Sequence, residues 1–378
     1  MTNYSVSVGA GVLWLSFAAL GVAYAQDTAD SAPAATAATD VHSAPMIRED
    51  APLQYVVKKG DTLWDISKRF LRNAWQWPEI WYANGQVKNP HLIYPGDVLS
   101  LVMVNGHPRL LLGARPQASL QLPEPEEKLE PQVRESALDN AIPTIPIDAI
   151  RDFLVSPRVV TEKEIKKAPY ILDFVEEHLA AGAGDRAYVK NLRDKITARY
   201  AVVRMGGPYI DPDSGDVLGY AAIPVGDADV TDYSNPGIVT LTDTVREARS
   251  GDRLIPTDTH VYDENFYPHA PKTQVSASII SVYDKRDAVG QIPQYEVVAL
   301  SRGSRDGLEP GHVLTIMQNS RKTVDPVTGN EVKLPAQPVG TIMVFKTTPR
   351  ISFGLVMEET HEVHELDRAV TPSSTATP

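Results

Sequence analysis

The side chains best suited to chemistry include His361-Glu-Val-His-Glu365, two imidazoles set among carboxylates. A zinc-binding His-Glu-x-x-His helix needs its histidines four apart, so that both meet one ion. Here they are three apart and embedded in strand-like sequence, so the stretch reads as a solvated polar turn and no metal is expected. Acid pairs such as Glu176-Glu177 and Asp211/Asp213 could serve hydrolysis only if they faced each other across a cleft. The chain has no cysteine, which excludes thiolate nucleophiles, disulfides and Cys-based zinc sites. No Ser-x-x-Lys or Gly-x-Ser-x-Gly stands in a convincing setting. No catalytic residue and no cofactor are therefore assigned. A wall-remodelling hydrolase with unrecognised residues in 150–378 remains the alternative.

The other chemistry on offer is binding. Gly60-Asp-Thr-Leu63 and Asn89-Pro-His-Leu-Ile93 read as loops tied to a small core. Backbone amides and carbonyls at a strand–helix junction can line a shallow groove without burying charge, which suits a sugar polymer. The elements that would position the loops are legible. Tyr55-Val-Val57 is a strand and Lys58-Lys-Gly-Asp61 its exit turn. Asp61 or Thr62 can cap a helix through Trp64, Ile66 and Phe70. A second short helix starts at Pro78, carries Ile80, Trp81 and Tyr82, and ends at Asn84-Gly85. Pro95-Gly-Asp97 turns the chain into a second strand from Val98.

The opening Tyr-Val-Val-Lys-Lys-Gly-Asp-Thr-Leu-Trp-Asp-Ile-Ser and the closing Asn-Pro-His-Leu-Ile-Tyr-Pro-Gly-Asp-Val-Leu resemble the LysM domain family across residues 53–103. The middle, Leu71 to Glu79, is longer and richer in Trp than a minimal LysM. It looks like the form found in multidomain envelope proteins of Gram-negative bacteria. The resemblance implies a βααβ fold that holds N-acetylglucosamine-containing glycan between the two loops. Gly60, Asp61, Thr62 and Leu63 would form one side, and Asn89, Pro90, Leu92 and Ile93 the other. Leu63 and Ile93 would offer apolar surface to acetyl groups, although Thr62 as a cap and Leu63 as core are equally natural roles. Of Trp64, Trp75, Trp77 and Trp81, most belong in the core of so small a unit, and Trp75 is the candidate for sugar stacking. Lys58, Lys59, Lys68, Arg69, Arg72 and Lys88 outnumber Asp61, Asp65, Glu79 and Asp97, which suits a glycan carrying anionic stem peptides.

The whole chain of 378 residues carries a formal charge of -12, which argues against a general nucleic-acid binder. Val12 to Tyr24 is mostly apolar and ends in Ala23-Tyr-Ala25, a small-x-small pattern that predicts a cleaved export signal over 1–25. Nothing later resembles a second apolar span, so no multispan membrane segment is expected. Residues 26–52 are a flexible spacer, and 104–148 a Pro/Glu-rich linker with the next folded unit beginning within Ala141 to Ile150.

Beyond it, two mainly-β domains, small barrels or sandwiches, are expected at 149–258 and 272–373. They read as an internal duplication. Asp211-Pro-Asp-Ser-Gly215 and Asp325-Pro-Val-Thr-Gly329 are matching turns, each preceded by an apolar strand and closed by Gly251-Asp-Arg-Leu-Ile-Pro256 or Leu366-Asp-Arg-Ala-Val-Thr-Pro372. A helix is expected from Ile171 to Ala180. The expected role is noncovalent peptidoglycan binding in the periplasm or envelope of a Gram-negative bacterium, with 150–378 presented to an unidentified envelope protein. An assembly or scaffold role is the second alternative.

Overall fold

The computed structural model describes residues 45–81, 92–113, 141–155, 159–176, 179–193, 196–257, 265–282, 291–320 and 322–372. The export-signal reading falls outside these residues, as do Asn89 and Pro90 and most of the proposed linker.

The N-terminal module is β1 (Gln54–Val56), α1 (Leu63–Phe70), a single 3-10 turn at Ala74–Gln76, α2 (Trp77–Trp81) and β2 (Val98–Val104). β1 and β2 pair antiparallel, with Tyr55 opposite Leu99. Trp77, Trp81, Ile66, Phe70, Ile80 and Leu99 fill the space between helices and sheet. The module is larger than its sequence signature suggested. β3 (His107–Gly113), in residues read as the start of a linker, extends the sheet by pairing with β2 along its whole length. Its Leu110 is fully buried in the module core. Asn105 and Gly106 form the two-residue hairpin that makes this possible, and both adopt positive φ as a twisted hairpin turn requires.

After α3 (Ile147–Val155) and a short segment comprising β4 (Val159–Val160) and α4 (Glu162–Lys167), two β units follow. The first contains β5 (Tyr170–Phe174), β6 (Arg186–Lys190), β7 (Arg199–Ile210), β8 (Val217–Asp232), β9 (Gly237–Thr242) and β10 (Arg253–Pro256). Its order is β8-β7-β10-β5-β6-β9, and pairing of β8 with β9 brings the sheet back on itself, with β4 on the outer flank of β8. The second is a closed barrel of β11 (Ser276–Val282), β12 (Val297–Leu300), β13 (Val313–Met317), β16 (Pro338–Thr347), β17 (Ser352–Glu359) and β18 (Arg368–Val370). A hairpin of β14 (Lys322–Val324) and β15 (Glu331–Lys333) projects between β13 and β16. If β5 to β10 are matched in turn to β11, β12, β13, β16, β17 and β18, the two strand orders coincide.

The matching turns coincide as well. In each, the first Asp accepts the backbone N–H two residues on (Asp213, Val327) and the hydroxyl three on (Ser214, Thr328). The expected helix at Ile171 is instead β5. Ile171, Phe174 and Val175 have helical spacing, but Tyr170–Phe174 pairs with β6 on one side and with Arg253 of β10 on the other. Neighbouring strands override local periodicity there.

Candidate functional site

The site begins where β1 ends. Lys58 to Asp61 closes as a turn: the Asp61 amide donates to the Lys58 carbonyl (3.2 Å), and the Asp61 carboxylate accepts from the Lys58 amide (2.8 Å) and the Tyr55 hydroxyl (2.8 Å). Burial and the Asp61 carboxylate both push the Tyr55 phenol upward. Gly60 sits at φ 91°, where an added Cβ would touch nothing within 4 Å. The demand is therefore on backbone conformation and not on space. Thr62 caps α1: its hydroxyl oxygen accepts from the Asp65 amide (3.1 Å) and its proton goes to the Asp65 carboxylate (2.7 Å).

The opposite rim runs from Leu92 to Asp97 and repeats the same turn. The Tyr94 amide donates to the Asp97 carboxylate, and the Asp97 amide to the Tyr94 carbonyl. The Gly96 amide reaches the Val57 carbonyl (2.8 Å) and the Val57 amide the Asp97 carbonyl (2.9 Å). The two rims are thus stitched together at their base.

Gly60, Asp61, Thr62, Leu63, Leu92 and Ile93 are brought to one place. Their side chains do not all face outward. Leu63 and Ile93 are buried in the module core, so what they present to the groove is backbone; Leu92 is half exposed. Trp75 is partly buried against the apolar cluster that holds Trp64, Ile145 and the second-barrel residues Phe345 and Phe353. That cluster joins the module to the rest of the chain. Polar contacts add to it: the Tyr295 hydroxyl donates to Asp65 (3.0 Å), and Lys68 pairs with Glu358 (2.9 Å).

The groove is occupied by the chain itself. The Leu63 amide donates to the Pro143 carbonyl (2.9 Å), the Trp64 amide to the Thr144 carbonyl (3.1 Å), and the Ile142 amide to the Ile93 carbonyl (2.8 Å). Leu63 and Trp64 open α1, so their amides have no partner within the helix and must find one elsewhere. From sequence alone, only the start of a folded unit is legible near 141–150. The available signal was Ala-Ile-Pro-Thr-Ile-Pro-Ile, an apolar run whose two prolines favour an extended path.

Other chemistry-bearing clusters have structural partners. Asp211 binds Arg302 (2.9 Å), and Asp213 binds both Arg302 and Arg368, with the Arg368 guanidinium holding the Asp213 carboxyl below its usual range. The Asp211–Arg302 pair lines a cleft of about 280 Å³ between the turn after β7 and the second barrel. A carboxylate clamped by guanidinium is a poor general acid. His361 and His364 lie on the turn before β18, where the His364 amide donates to Asp367.

His269, Glu309 and His312 lie close enough for their donor atoms to share an ion. The hydrogen bond of His312 argues against it as a ligand. His312 Nδ1 accepts the Glu309 amide (3.1 Å), which leaves the proton on Nε2. On His312, therefore, one ring nitrogen has spent its lone pair and the other is protonated, whereas His269 Nδ1 donates to the Tyr267 carbonyl (2.8 Å) and its Nε2 keeps a lone pair.

The antiparallel β1–β2 pair carrying two helices, with a groove between the loop after β1 and the loop before β2, defines a LysM-type module, to which β3 is an addition. Residues 55–102 match the LysM domain family. A 63-residue stretch is 36% identical to a protein of Bacillus subtilis (strain 168) described as "Uncharacterized protein YqbP", covering 14% of this chain and 29% of that protein. The chain therefore spans under a third of the length of that relative. Among the described residues, no helix is long and apolar enough to cross a membrane.

Proposed function

We propose that the LysM module binds the N-acetylglucosamine-containing glycan of peptidoglycan without cleaving it, and so localises the two β barrels at the cell wall. The observation that carries this reading is the pair of stitched rims, which presents the backbone amides of Leu63 and Trp64 opposite the carbonyl of Ile93. An acetamido group carries one carbonyl acceptor and one N–H donor, and this pairing matches both. Binding to a repeating polymer would keep the barrels at high effective concentration near the wall.

A periplasmic or envelope location in a Gram-negative bacterium, and an envelope-protein partner for 150–378, belong to the same proposal. An assembly or scaffold role is the second reading. It is favoured by the module's packing against the second barrel through Trp64, Tyr295 and Lys68, which makes it part of a larger body and not a pendant domain.

The test is co-sedimentation of the full chain with insoluble peptidoglycan at high polymer concentration. Retention should be reversed by soluble N-acetylglucosamine oligomer. Retention that the oligomer cannot displace would move the binding away from this groove, and release of soluble fragments would restore the hydrolase reading.

A further inference from the structure

We propose that residues 141–144 are an intramolecular competitor for the LysM groove, so that the glycan site is capped in this conformation and opens only when the strap leaves. The inference rests on the glycan reading above and adds its regulation.

The strap resembles the ligand in chemistry. An N-acetylated sugar offers a carbonyl, an amide proton and a methyl group. Pro143 offers a carbonyl to the Leu63 amide, Ile142 offers an amide proton to the Ile93 carbonyl, and the Ile142 side chain enters the module core, where it is 4% exposed. Thr144 adds a second carbonyl, to the Trp64 amide. Every backbone group that the proposed site would direct at an acetamido group is thereby taken. Pro143 has no N–H, so the strap can turn its carbonyls to α1 without leaving an unmatched donor at that position.

The strap can leave without dismantling the molecule. Downstream, Ile145 and then Ile147, Ile150, Phe153 and Leu154 of the α3 segment are anchored in the cluster shared with the second barrel, so the strap hinges at Ile145. The module keeps its own contacts to that barrel through Trp64, Asp65 and Lys68. A tethered competitor acts at high effective concentration. The apparent affinity of the glycan is then scaled down by the fraction of molecules whose strap is out.

The test uses the full chain, its Ile142→Asn variant and a soluble N-acetylglucosamine oligomer. Asparagine puts an amide into the apolar pocket of Ile142 and favours release. The variant should bind the oligomer at least about tenfold more tightly, as expected if fewer than one native molecule in ten has an open groove. In the native chain, saturating oligomer should speed hydrogen exchange of the Ile142 amide, which loses its Ile93 acceptor. This second measurement decides alone if the variant does not fold.

Equal affinity for both chains, with the Ile142 amide still protected when oligomer is bound, would overturn the competitor while leaving glycan binding intact. If neither chain binds although exchange shows the strap released in the variant, the glycan reading falls and the inference with it.

Discussion

His312 should make the second barrel acid-labile, and the effect can be worked from its surroundings. It closes Glu309-Pro-Gly-His312 in the way Asp97 closes Tyr94-Pro-Gly-Asp97, by accepting the amide three residues back. The ring is 4% exposed, packs edge-on against His269 with centroids 4.7 Å apart, and has Glu309 nearby. Burial, followed by the neighbouring His269, pushes its pKa from 6.5 down to about 4, against a smaller upward pull from Glu309.

The unfolded chain takes up a proton below pH 6.5 that the folded chain refuses until about pH 4. Stability is therefore complete above 6.5 and falls as the pH is lowered through that window. At about 1.4 kcal/mol per pKa unit, the loss is on the order of 3 kcal/mol. Protonating Nδ1 also removes the acceptor that holds the turn. His312→Asn keeps an acceptor for the Glu309 amide and does not titrate.

Urea denaturation of both chains between pH 7 and pH 4 should show the native chain losing about 3 kcal/mol more than the variant. Imidazole proton resonances, assigned by the variant, should place the His312 midpoint near 4. An ordinary midpoint near 6.5, or identical pH slopes for the two chains, would refute the reasoning.

Further perturbations test the joints of the molecule. Tyr295→Phe removes the phenol that donates to Asp65 and should cost about 1–2 kcal/mol, with most of that coupling lost in a double-mutant cycle with Asp65→Ala. In the native chain, the Tyr295 phenol, pushed up to about 12 chiefly by burial and then by Asp65, should ionise later than ordinary tyrosines in an ultraviolet titration. Asp252 is buried and accepts both the Arg204 guanidinium and the Arg249 amide, so Asp252→Ala should lower the first barrel's stability by about 3 kcal/mol. Thr62→Ala should cost about 1 kcal/mol through loss of the α1 cap, while Thr62→Ser stays near the native value in thermal melts.

Much of this architecture is written in short-range sequence, and the exceptions share a cause. The Thr62 cap, the Pro95-Gly96 turn and the paired Asp-Pro turns each bond to residues a few positions away, so residue type and spacing suffice to find them. The strap bonds backbone to backbone with Leu63, Trp64 and Ile93, which are distant in sequence, and a main-chain bond leaves no side-chain signature. Leu63 and Ile93 were placed at the groove, but their side chains turned into the core because a module this small needs them there. Trp75 read as an exposed stacking platform because the unit was considered alone. The surface it covers exists only once α3 and the second barrel are present.

The most direct measurement is a titration of the isotopically labelled full chain with soluble N-acetylglucosamine oligomer, followed by backbone amide resonances. Shifts are expected at Gly60 to Trp64 and at Leu92 and Ile93, with Ile142 losing its hydrogen-bonded position in step with saturation. Shifts confined to the barrels, or none at any oligomer concentration with the strap released, would contradict the glycan reading.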